Sequence, residues 1–176
     1  MVERPAHRRA PARSGYAALL LLAAALAHAD DNAWLKSYQL EAAGDYSGAA
    51  ALVQPFANER PVNEFAVLRL GWLNYLRGDY EEALRQYSRA LSLNPKSIDA
   101  RLGMTLPLLA QARWDEAGRY AQQVLTISPW QYVAHLRLMI AEEGRRQWQT
   151  LMRHAEDVAA RYPSDATLQV YLARGA

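Results

Sequence analysis

The sequence predicts an all-α fold, a solenoid of four stacked helix–turn–helix units followed by one short helix. Three periodic landmarks carry that expectation. Pro61, Pro95, Pro129 and Pro163 lie 34 residues apart, and so do the aromatics Tyr46, Tyr80, Trp114 and Trp148, each fifteen residues before one of those prolines. Ala49, Ala83 and Ala117 keep the same step, with Leu151 in the fourth place. Self-similarity at a fixed period of roughly 20–50 residues marks a repeat architecture. The copies run 30–63, 64–97, 98–131 and 132–165, and residues 166–174 open a further first helix.

The second copy shows how one unit works. Val67, Leu70, Gly71 and Leu73 give its first helix an apolar face, and Ala83, Leu84, Tyr87, Ala90 and Leu91 do the same for the second. Gly78 supplies permissive backbone at the turn between them. Ala83 is small enough for the two helices to approach closely. Asn94-Pro95 stops the second helix, because proline disfavours helical geometry before it and has no N–H to donate. One hairpin cannot bury both of its faces, so the copies must stack into a right-handed superhelix.

On these residues the chain resembles the tetratricopeptide-repeat family. The matching places are Leu70-Gly71, Gly78-Asp79-Tyr80, the pair Ala83 and Tyr87, and Asn94-Pro95. Val67 stands where that family usually has Trp, and Asn74 where it has Tyr. The resemblance covers 136 of the 147 residues that follow the first 29. It implies that first helices line a concave groove and that the groove takes another protein.

Three features depart from the pattern. Pro107 falls inside the first helix of copy three, with its ring toward the carbonyl of Gly103, and the expectation is a kink there, the alternative a helix in two pieces. Pro55 is expected to shorten the second helix of copy one, as in an atypical capping repeat. The closing segment carries Leu168, Val170, Tyr171 and Leu172 with little charge, which predicts a sticky C-terminal end.

Composition bounds the function. Apolar residues make up 51% of the 176, which excludes a disordered chain, and the absence of cysteine excludes disulfides, thiolate nucleophiles and Cys-held metals. The first 29 residues read as a secretory signal: Arg8, Arg9 and Arg13, then an apolar run from Tyr16 to Ala27, then Ala27-His28-Ala29 as a small-x-small cleavage site. An apolar run of about 12 residues gives roughly 18 Å of helix, too short for a hydrocarbon core of about 30 Å. The segment 1–29 also holds the excess basic charge, leaving 16 basic against 17 acidic residues in 30–176. Nucleic acid is therefore not an expected partner, since tracking phosphates needs clustered Lys and Arg. Eighteen Arg against two Lys, with abundant Ala, point to a GC-rich bacterium and a periplasmic or extracellular location.

No catalytic, cofactor or metal site is expected. The acidic pairs Asp30-Asp31, Glu81-Glu82, Asp115-Glu116, Glu142-Glu143 and Glu156-Asp157 put neighbours about 100° apart on a helix, so they read as solvated charges. His135 and His154 lack the spacing of a zinc helix, and His154 with Asp157 at i,i+3 is only a weak metal pair. No nucleophile elbow, phosphate loop or dinucleotide fingerprint is present.

The candidate binding residues follow from the family resemblance, in which the fifth and ninth places of each repeat face the groove. Those places hold Trp34, Leu68, Leu102 and Leu136, then Tyr38, Trp72, Leu106 and Ile140; the twelfth adds Tyr75 and Leu109, flanked by Glu41 and Glu143. The stripe is either an exposed apolar groove or, after a slight helix rotation, part of the core. Arg69 and Arg137 stand at the sixth place. The family's basic clamp for a terminal carboxylate is missing, so an amphipathic helix or extended apolar segment is the expected partner. The function expected is a non-catalytic interaction scaffold of the cell envelope. The alternative is a module that self-associates through its closing helix, with membrane contact only through the uncleaved signal.

Overall fold

The computed structural model describes residues 32–175, so the segment 1–29 read as a signal lies outside the described residues. Among them are nine helices and no strand. Helix α1 covers residues 32–42. It is followed by α2 (Tyr46–Asn58), α3 (Glu64–Leu76), α4 (Tyr80–Leu93), α5 (Ile98–Ala110), α6 (Trp114–Ile127), α7 (Tyr132–Gly144), α8 (Trp148–Arg161) and α9 (Ala166–Gly175). Consecutive helices pack on one another, and first helices also meet across units, α3 with α5 and α5 with α7. They form one layer and the second helices the other.

Local chemistry fixes the helix starts. Asn63, Ser97, Gln131 and Asp165, themselves 34 residues apart, each accept the amide N–H three residues on, at 3.2, 3.2, 2.7 and 3.0 Å. Such a cap contributes about 1 kcal/mol. The turn inside each unit needs left-handed backbone, and Gly44 and Gly78 supply it at φ 81° and 85°. Ala112 and Arg146 occupy the same place at φ 56° and 58°, where a Cβ is unfavourable.

Ala49, Ala83 and Ala117 are fully buried, and their small size lets the paired helices approach closely; in the fourth unit the larger Leu151 is buried at the same place. Tyr87, only 3% exposed, fills the joint between copies two and three. A Cβ built on Gly71 would lie 2.8 Å from its ring, and one on Gly103 only 2.2 Å away. Gly103 therefore makes room for an aromatic ring. Helix α5 runs on through Pro107 in one piece, and Pro107 is itself buried. Pro55 lies inside α2, which has 13 residues against 14 for α4, α6 and α8, so the shortening amounts to one residue.

The closing helix is less sticky than its composition predicts. Leu168 is fully buried and Tyr171 8% exposed, packed with Met139, Leu151, Ala155 and Val158, and Leu172 is half-buried against them. Val170 alone of the four is exposed, at 50%. Tyr171 on α9 joins one buried cluster with Leu151, Ala155 and Val158 on α8.

Candidate functional site

The first helices carry apolar residues nearly all round, whereas α4, α6 and α8 are amphipathic. A first helix is pressed by its own second helix, by that of the preceding unit and by neighbouring first helices, so no single face is left polar. Leu68, Trp72, Tyr75, Leu102, Leu106, Leu109, Leu136 and Ile140 are all half-buried. One flank of the stripe belongs to the core. Leu68 and Trp72 pack on the cluster between copies one and two, Leu68, Tyr75 and Leu109 on the next, and Leu136 on the last. The stripe is therefore neither a free groove nor a sealed core. Trp34 covers the first cluster by stacking on Phe56 at 4.8 Å.

Polar partners orient the aromatic part of the stripe. Trp72 donates its indole N–H to Glu41 Oε1 at 2.7 Å and lies 5.6 Å, centroid to centroid, from Tyr75. Glu41 also pairs with Arg69 at 2.8 Å. Arg69 is 6% exposed and donates to Ser37 Oγ at 3.2 and 3.0 Å, while its guanidinium sits 3.7 Å over the Tyr38 ring. The sixth-place arginine of copy two is thus a core strut. Arg137, its counterpart in copy four, is half-buried and makes no ion pair among the described residues; burial pushes its pKa down, opposed by Tyr75 and Tyr87.

A second constellation escaped the sequence reading. His135 on α7 and His154 on α8 face each other, Nδ1 to Nε2, at 2.8 Å. The other nitrogen of His135 lies 3.0 Å from the Pro129 carbonyl, and that of His154 lies 3.0 Å from Glu142 Oε2. Burial pushes the His135 pKa down. Glu142 is 5% exposed, so its reading as a solvated charge fails. Its neighbour Glu143 turns the other way and bonds Arg174 at 2.8 Å. The two histidines are 19 residues apart, so no short spacing announces them. The signal that could have found them is the register, which puts His135 on the first helix and His154 on the second helix of one unit.

Comparison with known proteins agrees with the repeat. The family model for the TPR repeat matches residues 73–105, from the end of α3 through α4 into α5. Among solved structures, MamA from Desulfovibrio magneticus RS-1 is similar at 17% identity and a TM-score of 0.71, over 81% of each chain. A thermophilic TPR protein of Thermus thermophilus is similar at 16% identity and a TM-score of 0.67, over 82% of this chain and 80% of that one. The Arabidopsis OM64 TPR domain gives 17% identity and 0.59, over 63% and 92%. No curated protein matches the sequence. The fold is thus that of a tetratricopeptide-repeat protein, all-α, two helices to each unit.

Proposed function

We propose that this protein is a non-catalytic interaction scaffold of the bacterial cell envelope. It holds an amphipathic helix or extended apolar segment of another exported protein against the stripe of its first helices. The observation that carries this reading is the common half-burial of eight apolar residues at three recurring places on α3, α5 and α7. Apolar surface left accessible in so continuous a run favours a partner over solvent. The leader of residues 1–29 supports the envelope location. A second reading, self-association through the C-terminal end, keeps one support: Trp148, 52% exposed, and Tyr171 line a cavity of about 670 Å³ between α8 and α9.

Affinity capture from the native envelope tests the groove. Leu106→Asp is expected to lose the partner and stay folded, because a half-buried leucine contributes only about 1 kcal/mol through its burial. Arg85→Asp on the exposed face of α4 is expected to retain it. Capture by a folded Leu106→Asp variant would sink the groove reading.

A further inference from the structure

We propose that His135 and His154 form a binding site for a borderline divalent cation, Zn²⁺ or Cu²⁺, held between their two facing ring nitrogens. The outer hydrogen bonds set the tautomers. A backbone carbonyl only accepts, so His135 Nε2, 3.0 Å from the Pro129 oxygen, carries its hydrogen. An ionised carboxylate only accepts, so His154 Nδ1, 3.0 Å from Glu142 Oε2, carries the other. Each neutral ring then has a single lone pair left, and the two point at each other across 2.8 Å. Two bare lone pairs at that distance repel, so a cation belongs between them. A proton is one such cation. A metal that accepts imidazole nitrogen is the other, and its binding displaces the shared proton.

Three further features favour the metal. Ring N–H groups fixed by a backbone carbonyl and by a carboxylate are the partners that orient metal-binding histidines and raise their basicity. Glu142 places a buried carboxylate beside the pair. The pair also opens on a cavity of about 520 Å³ between α6 and α8, so water and ions reach it. A tetrahedral ion with nitrogens at about 2.0–2.1 Å needs them roughly 3.3 Å apart with both lone pairs converging on it, so the rings must part by about 0.5 Å and turn toward a common point.

The cavity wall sets the kind of site. Asp157 and Thr150 on α8 offer oxygen at its rim, and Arg153 on α8 opposes with positive charge. No group of three or more His, Cys, Asp or Glu converges to hold a metal among the described residues, so the remaining positions fall to water. The site is exchangeable, with two nitrogen ligands that suit Cu²⁺ and Zn²⁺. Mg²⁺ and Ca²⁺, which require oxygen ligands, are excluded from it.

The test is titration of the metal-free full chain with ZnCl₂ and CuCl₂ in a calorimeter at neutral pH, with MgCl₂ as control. One Zn²⁺ or Cu²⁺ per chain at this pair and no Mg²⁺ is expected. His135→Gln and His154→Gln each weaken that site by at least about tenfold, and Glu142→Gln by about 10–100-fold. Trp130, whose ring centroid lies 6.0 Å from that of His135, reports locally: Cu²⁺ quenches its fluorescence, and Trp130→Phe removes the quench while the binding heat remains. Should the histidine variants unfold, ¹⁵N spectra of the unmodified protein decide. Zn²⁺ must then shift His135 Nδ1 and His154 Nε2. Unmoved ring nitrogens, or a binding heat that persists in both folded histidine variants, would show that this pair holds a proton only.

Discussion

The joint at Tyr87 yields a prediction whose sign is opposite to the usual one. Gly→Ala inside a helix ordinarily stabilises by about 1 kcal/mol, through helix propensity. At Gly103 the added Cβ would lie 2.2, 2.4 and 2.6 Å from three atoms of the Tyr87 ring. The ring has nowhere to go, because it is 3% exposed and also lies close against Gly71. Overpacking costs about 1–3 kcal/mol, and a pinned aromatic belongs at the upper end. Gly103→Ala is therefore expected to lose about 1–2 kcal/mol net. Tyr87→Ala alone should lose about 3–5 kcal/mol through the cavity it leaves. On that background the clash is gone, and Gly103→Ala should become stabilising by about 1 kcal/mol. Urea unfolding followed by circular dichroism measures all four members of this cycle. A Gly103→Ala protein more stable than the unmodified one would show that the ring does not sit there.

Other places give further outcomes. Arg146 holds a left-handed conformation that a Cβ disfavours by about 1–2 kcal/mol. Arg146→Gly is expected to raise stability by about 0.5–1 kcal/mol in the same urea assay, after the extra entropy of glycine in the unfolded chain is subtracted. Glu41→Ala strands the buried Arg69 charge and should cost about 3 kcal/mol, most of it recovered when Arg69 is also changed to Met. Burial pushes the phenols of Tyr87, Tyr132 and Tyr171 above the ordinary tyrosine value. An unfolded tyrosine ionises near pH 10. Because the folded values are raised, their contribution is whole below about pH 10 and is lost as pH rises past it. Thermal midpoints that stay level between about pH 10 and 11.5 would contradict that.

The fold is readable because each landmark has a steric reason. Ala83 and Ala117 are small where helices touch, Gly78 is left-handed where the chain turns, and Asn94-Pro95 ends a helix where the next must start. The role of Gly103 is hidden from local reading because its demand comes from Tyr87, sixteen residues earlier and on another helix. Composition overstates the sticky end because Leu168 and Tyr171 are turned onto α8 by the same register that places every first helix. The stripe cannot be resolved from periodicity: first helices are apolar on most faces, so a half-buried Leu106 looks the same as a buried Leu108. The histidine pair needs two helices brought side by side before it can be seen at all.

Hydrogen–deuterium exchange with the captured partner bound tests whether the first-helix layer is the binding face, as we propose. Backbone amides do not reveal side-chain contacts, but a partner laid along a helix layer slows the opening of that layer. A partner seated on the first helices adds protection over 64–76, 98–110 and 132–144, the ranges of α3, α5 and α7, with little change over 80–93, 114–127 and 148–161. Protection concentrated on α4, α6 and α8, or confined to α8 and α9, would contradict it.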